Sequence, residues 1–171
     1  MYKIDTNPEI LLKNLKETKP EIYKHSVRVE TVVKSLAEYL GINEIYKEEL
    51  IIAAKYHDVG KLICDDKNHP KLSSIILQEF GFSGTIRNFI REHHERLDGS
   101  GFPKGIEENE ISYYSQILGI VDEFDNLIYN QQFSFKEAKD ELKKFPEKYN
   151  TEILKGFENL LGEIEKYNGF Y

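Results

Sequence analysis

Apolar residues recur at helical spacing along most of the chain, and no stretch sustains the alternation typical of a β-strand. In the segment that opens at Pro20 these positions are Ile22, Val29, Val32, Val33, Leu36 and Leu40. Gly41 follows where a left-handed residue commonly ends a helix. The pattern therefore predicts an all-α protein.

Capping residues divide this pattern into about seven or eight helices. Asn7 and Pro8 are typical of a helix start and predict a short first helix to about Glu17. Asn43 predicts the cap of a third helix, which runs through an apolar stretch toward His57. Further helices are expected over about 71–80, 84–95, 112–128, 134–145 and 146–167.

Glycines and a proline interrupt the series over 96–110, which predicts a loop. A boundary near 130–134 would separate a core of about 20–130 from a C-terminal helical pair of about 134–168. Because that pair is too short to fold alone, we expect 1–171 to form a single domain. Core packing is the favoured role of the pair, and a dimer contact is the alternative.

Composition and charge narrow the function classes. With 40% hydrophobic and 31% charged residues, the chain is typical of folded globular proteins. Its 23 basic and 30 acidic residues give a net charge of −7, which argues against binding to nucleic-acid polymers. A lone cysteine, Cys64, and the lack of any long apolar or signal-like stretch predict a cytoplasmic protein without membrane contact.

The candidate chemistry rests on five histidines that have carboxylates or other histidines nearby. His57 and Asp58 offer an imidazole and a carboxylate within one turn, and such a carboxylate can bridge two metal ions. Glu21 and His25 are four residues apart, so they share one helix face. Taken alone, the first pair is more typical of an ordinary helix end and the second of an exposed ion pair, and only their combination with the other histidines favours a site.

Three further histidines extend the set. His69 precedes a proline at a helix entrance, where a surface position is the simpler interpretation. His93 and His94 are adjacent, and on a helix they would point about 100° apart, although both can reach a broad polynuclear cluster. Glu95 and Asp98 follow closely and are expected to orient the imidazoles.

Asp122 lies among apolar residues of a predicted core-facing helix. Because a buried, unpaired carboxylate costs several kcal/mol, this side chain requires a cation or several hydrogen-bond donors. The alternative is a solvated stripe formed by Asp122, Glu123 and Asp125.

These residues, in this order, resemble the HD superfamily of metal-dependent phosphohydrolases, and within it the HD-GYP branch. The similarity extends over about 21–125 and includes the His57-Asp58 pair that gives the superfamily its name. The stretch 93–103, His-His-Glu-Arg-Leu-Asp-Gly-Ser-Gly-Phe-Pro, is similar to the branch's His-His-Glu-Arg-x-Asp-Gly-Ser-Gly-Tyr-Pro motif, with Phe102 in place of tyrosine. The resemblance implies an HD-domain-like helical bundle.

The resemblance also implies a set of metal ligands, namely Glu21, His25, His57, Asp58, His69, His93, His94 and Asp122. Glu21 matches the extra carboxylate of members that hold three metal ions rather than two. As catalytic residues, Asp58 would bridge two ions and Lys61 would contact the scissile phosphate. Substrate contacts are expected from Asp98, Gly99, Ser100 and Gly101. The implied cofactors are two or three divalent transition-metal ions, with iron or manganese favoured and cobalt, nickel or zinc compatible with the same ligands.

Two departures from the branch bear on the substrate. The segment between Lys61 and His69 is shorter than usual. In addition, 130–134 contains no arginine or lysine where the branch usually carries an Arg-Pro-Tyr-Arg-like element. Since arginine forks clamp phosphates strongly, their loss is expected to weaken binding of a bulky dinucleotide.

The sequence therefore favours a phosphodiesterase acting on cyclic di-GMP or a related cyclic dinucleotide. A phosphohydrolase for another nucleotide or phosphoester is the first alternative, and a catalytically silent, metal-binding signalling module is the second. An iron-dependent oxygenase has the least support. The sequence leaves open whether the protein forms a homodimer or acts with a separate signalling partner.

Overall fold

The computed structural model describes residues 7–168, and these contain eight α-helices and no β-strand. The helices are α1 (Glu9–Thr18), α2 (Pro20–Tyr39), α3 (Glu44–Tyr56), α4 (His69–Glu79), α5 (Gly84–Glu92), α6 (Tyr113–Tyr129), α7 (Phe135–Lys143) and α8 (Thr151–Asn168). Short 3₁₀ turns occur at Val59–Leu62, Glu108–Glu110 and Pro146–Lys148. The predicted all-α bundle is confirmed.

Several helix ends follow the predicted signals. The Asn43 side chain accepts a hydrogen bond from the backbone N–H of Ile45 at 3.0 Å and so caps α3. Gly41 adopts φ +65° just after α2, a conformation that glycine tolerates better than other residues. These local signals fix where the long helices begin and end.

Two predicted boundaries are wrong. The last helix begins at Thr151 rather than Pro146, because the Asn150 side chain accepts hydrogen bonds from the N–H groups of the first turn of α8. The helix predicted over 84–95 ends at Glu92. The Glu95 carboxylate accepts backbone hydrogen bonds from 104–106 and thereby holds the chain in the loop that follows. His93 and His94 therefore lie beyond the regular helix.

The core forms around α2, which packs against α1, α3, α6 and α8. Its apolar face is fully buried at Val29, Val33 and Leu36. Burial of each such side chain contributes about 1.5–3 kcal/mol. Because α2, α3 and α6 meet in this core, polar residues on their inner faces are brought together.

The C-terminal helices pack onto the same core. Phe157 of α8 is fully buried and meets Phe124 of α6 edge-on, with 5.1 Å between the ring centroids. Of the predicted domain 1–171, residues 1–6 and 169–171 lie outside the described residues, so its full extent stays a prediction. Within the described part, no helix is long and apolar enough to cross a lipid bilayer.

Candidate metal centre

Five imidazoles and two carboxylates converge in one cluster at the centre of the bundle. They come from α2 (His25), the end of α3 and the residue after it (His57, Asp58), the start of α4 (His69), the segment after α5 (His93, His94) and α6 (Asp122). Asp122 Oδ1 lies 2.9 Å from His25 Nε2 and 3.4 Å from His57 Nε2. The sequence-predicted ligands other than Glu21 thus meet in space.

Hydrogen bonds fix the orientation of three of these rings. In His57, His69 and His93, Nδ1 donates to the backbone carbonyl oxygen three residues earlier, at 2.8, 2.7 and 2.6 Å. A carbonyl oxygen only accepts, so Nδ1 must carry the hydrogen and neutral Nε2 keeps its lone pair. The Nε2 atoms point into the cluster, as metal-binding histidines require.

His25 is oriented by a carboxylate instead. Its Nδ1 donates to Asp125 Oδ2 at 2.7 Å, and Arg28 donates to both oxygens of Asp125 at 2.7 and 2.8 Å. Asp122 and Asp125 are both buried, so the alternative of a solvated acidic stripe is wrong. Neither Asp125 nor Arg28 was predicted as a functional residue, although each stands three residues after a predicted ligand on the same helix.

The chemistry of the donor set fits divalent metal ions. Asp58 Oδ1 and His93 Nε2 are buried without a hydrogen-bond partner among the described residues, which is costly unless another group satisfies them. The donor atoms form three overlapping sets, each within 4.8 Å: His25, His57 and Asp58; His57, His93 and Asp122; and His69, His93 and His94. Imidazole nitrogens with carboxylate oxygens suit iron, manganese, cobalt, nickel and zinc.

The cluster keeps its carboxylates ionised. Burial would raise the pKa values of Asp58 and Asp122, but neighbouring histidines, with Lys61 beside Asp58, hold both values well below the usual range. Burial lowers the pKa of His94 to about 3. Burial also opposes the charged form of His25, but hydrogen bonds to Asp122 and Asp125 raise its pKa to about 10. Ionised carboxylates beside the imidazole nitrogens of the cluster favour cation binding.

A cavity of about 260 Å³ opens onto the cluster. It is lined by Glu21, Ile22, His25, Asp58, Lys61, His94, Asp122, Asn126 and Asn130. Lys61 donates to Asp58 Oδ2 at 2.7 Å, and its side chain is 21% exposed. The cavity therefore gives a molecule access to the ligand atoms and to one ammonium group.

Glu21 lies on this cavity wall but outside the three donor sets. Its side chain is 79% exposed, and its carboxylate pairs with Lys24 at 2.8 Å. The role of Glu21 as a metal ligand stays a prediction.

The loop after His94 supports the centre from one side. Asp98 accepts hydrogen bonds from N and Oγ of Ser100, and none of Asp98, Gly99, Ser100 and Gly101 is among the described residues that line the cavity. Their substrate contacts stay a prediction. The expectation that Glu95 and Asp98 orient the imidazoles is wrong, since neither bonds to a ring among the described residues. Backbone carbonyls orient three of the rings, and Asp125 orients His25.

Close packing holds the loop against His94. A Cβ on Gly101 would come within 2.4–2.5 Å of the backbone of 94–96, so only glycine allows this approach. Phe102 consequently stacks on His94 with 4.5 Å between ring centroids. Arg96 donates to the carbonyl oxygen of His93 at 3.1 Å and fixes the chain on the other side.

Comparison with known proteins agrees with this arrangement. A family model described as HD domain matches residues 65–153. The chain is 30% identical over 168 residues to a cyclic di-GMP phosphodiesterase of Thermotoga maritima, covering 84% of this chain and 46% of the relative. It is 29% identical over 136 residues to 3′3′-cGAMP-specific phosphodiesterase 1 of Vibrio cholerae, covering 69% of this chain and 32% of that relative. The chain thus spans less than half the length of these relatives.

Two solved structures share the fold. Bd1817, an HDG"Y"P protein from Bdellovibrio bacteriovorus, superposes with a TM-score of 0.72 at 24% identity and covers 81% of this chain and 51% of its own. The HD domain of the phosphodiesterase PgpH from L. monocytogenes, solved with cyclic-di-AMP, gives a TM-score of 0.70 at 16% identity. The match covers 95% of this chain and 98% of the PgpH domain. At these identities the likeness concerns the fold alone.

Proposed function

The chain belongs to the HD domain family, and on that premise we propose that it is a metal-dependent phosphodiesterase of cyclic dinucleotides. The observation that carries the proposal is the convergence of five histidines and two aspartates. Two of their buried atoms, Asp58 Oδ1 and His93 Nε2, have no hydrogen-bond partner among the described residues. The names of the two curated relatives describe phosphodiesterases of cyclic di-GMP and 3′3′-cGAMP. The similarity of 93–103 to the branch's motif supports assignment to the HD-GYP type.

The residues proposed to hold two or three divalent ions are His25, His57, Asp58, His69, His93, His94 and Asp122, with Glu21 as the additional ligand of a third ion. Such ions polarise a phosphodiester and activate water. Asp58 would bridge two of these ions, which is supported by the distances of 3.2 Å from Oδ1 to His69 Nε2 and 3.4 Å from Oδ2 to His57 Nε2. Iron or manganese is the favoured identity.

Lys61 is proposed to bind a non-bridging oxygen of the scissile phosphate. Its ammonium group reaches the cavity beside Asp58 and is the one lysine or arginine among the described lining residues. Since burial opposes but Asp58 and Asp122 raise the Lys61 pKa, the side chain stays charged at neutral pH. It can therefore stabilise negative charge as the phosphodiester is attacked.

Hydrolysis of another nucleotide or phosphoester is the second candidate function. The cavity wall has only Lys61 as a lysine or arginine among its described lining residues, and 130–134 contains neither residue type. Both features favour this candidate, because a bulky dinucleotide has two phosphates to hold. For either candidate function the proposed location is the cytoplasm, with a homodimer or a separate signalling partner as the two alternatives for assembly.

An anaerobic preparation loaded with iron, manganese, cobalt or nickel tests both candidates. Cyclic di-GMP, 3′3′-cGAMP and cyclic di-AMP would be incubated with it and the products resolved by chromatography, with Lys61→Ala as the impaired control. Linear dinucleotides or mononucleotides are the expected products. Turnover confined to nucleoside mono- or polyphosphates would establish the second candidate, and dinucleotide binding without any turnover would indicate a silent module.

A further inference from the structure

The cavity wall beyond the metal-ligating atoms contains Asn126 of α6 and Asn130, the residue that follows this helix. Asp122, Asn126 and Asn130 are spaced by four residues, and all three line the cavity. At 1.5 Å per residue, Asn126 and Asn130 lie about 6 and about 12 Å along the helix from Asp122. A line of polar side chains thus leads from the metal cluster toward the cavity mouth.

A hydrogen bond orders the two carboxamides. Nδ2 of Asn130 donates to Oδ1 of Asn126 at 2.7 Å. This bond occupies the acceptor of Asn126 and leaves its Nδ2–H groups free of other described residues, while Asn130 keeps Oδ1 as an acceptor. The wall therefore offers a donor and an acceptor one helical turn apart.

The charges on this wall distinguish between kinds of substrate. Asn126 and Asn130 are neutral, and Glu21, which also lines the cavity, is acidic. Apart from Lys61, the described lining residues include no lysine or arginine that could hold additional phosphates beyond the one at the metals, and the Glu21 carboxylate is paired with Lys24. Ribose hydroxyls and base edges, which both donate and accept hydrogen bonds, match the carboxamides instead.

We propose that Asn126 and Asn130 recognise the nucleoside attached to the phosphodiester held at the metal cluster. This inference rests on the proposed phosphodiesterase function and makes the asparagine pair a determinant of specificity for nucleoside-bearing diesters. Polyphosphate chains and plain phosphodiesters gain nothing from it.

Asn126→Ala and Asn130→Ala test the proposal in the metal-loaded, full chain. The substrates are a cyclic dinucleotide that the parent hydrolyses and bis(4-nitrophenyl) phosphate, a diester without a nucleoside. Loss of one carboxamide hydrogen bond is expected to lower kcat/KM for the dinucleotide about tenfold, through KM. Turnover of bis(4-nitrophenyl) phosphate should not change. Gln131→Ala, an exposed neighbour outside the cavity lining, should leave both activities as in the parent.

The outcomes separate this inference from the proposed function. Equal losses of kcat/KM on both substrates would show that the two asparagines have only a structural role. An unchanged KM for the dinucleotide would overturn nucleoside recognition. A parent without dinucleotide turnover contradicts the proposed function instead. In that case calorimetric titration with cyclic di-GMP tests the inference. The alanine variants are expected to bind about tenfold more weakly than the parent. A parent that does not bind cyclic di-GMP would overturn the inference.

Discussion

The Asp125 carboxylate and the His25 imidazole are joined by a hydrogen bond of 2.7 Å from Nδ1, while Nε2 of the same ring lies 2.9 Å from Asp122. One ring on α2 therefore contacts two carboxylates that stand three residues apart on α6. Arg28, three residues after His25 on α2, holds both oxygens of Asp125. The contact orients His25 and couples the helices that carry the metal-ligating atoms.

Replacing Asp125 with asparagine should weaken metal binding about 10- to 100-fold, because a carboxamide cannot satisfy both His25 and Arg28. Competition of the Asp125→Asn variant with a manganese-binding fluorescent chelator measures this affinity. Asp140→Asn, an exposed change on α7, is the matched control and should bind as the parent does. Parent-like affinity in Asp125→Asn would show that Asp125 does not support the ligand.

Removing the proposed bridge should empty most of the cluster. In Asp58→Ala, His69 loses its carboxylate neighbour and His57 keeps only Asp122, so the metal content per chain is expected to fall by more than half. Elemental analysis of anaerobically purified protein measures it, and circular dichroism establishes that the variant is folded. Asp65→Ala changes an exposed carboxylate nearby and serves as control. Unchanged metal content in folded Asp58→Ala would refute the assigned role.

The ligand set was predictable because His57-Asp58 and the stretch 93–103 resemble a known motif. Helix ends were predictable where one side chain decides them, as Asn43 does for α3. The close approach of the His93 and His94 rings to each other was not predictable, since a regular helix would place the two side chains about 100° apart. The actual ring centroids are 4.0 Å apart, because α5 ends at Glu92.

Asp125 was not predictable for a different reason. In the sequence it stands with Asp122 and Glu123 in a group of acids that is equally compatible with a solvated surface. Only the packing of α2 against α6 brings Arg28 and His25 to its two oxygens. Tertiary contacts of this kind, between residues about 100 positions apart, leave no local pattern in the chain.

Two shifted histidines predict how the stability of chelator-treated protein depends on pH. The His94 pKa of about 3 lies below the ordinary 6.5, so the unfolded chain binds that proton more tightly and stability rises from pH 3 to 6.5. The His25 pKa of about 10 lies above 6.5, so stability falls as pH rises from 6.5 toward 10. Urea unfolding should therefore give maximum stability near pH 6.5.

Added manganese should change the alkaline side of this profile. Metal binding displaces the proton from His25, so the stabilisation by metal grows as pH rises from 6.5. The difference in unfolding free energy with and without manganese, measured at several pH values, is expected to increase between pH 6.5 and 9. A difference that is constant with pH would contradict proton displacement at His25.

Gly119 tests whether close packing of α6 positions the ligand His93. A Cβ at Gly119 would lie 2.2 Å from the carbonyl oxygen of His93, so Gly119→Ala must displace that backbone. Such overpacking typically costs about 1–3 kcal/mol, and the displacement should also reduce metal content. Gly162→Ala on α8 meets nothing within 4 Å and should stabilise the protein by about 0.4–1 kcal/mol. Urea unfolding and elemental analysis of both variants compare the two sites. The substitution is identical at both sites. A loss of stability and metal content confined to Gly119→Ala would therefore arise from the contact with His93, whereas equal effects at both sites would show that this contact does not position the ligand.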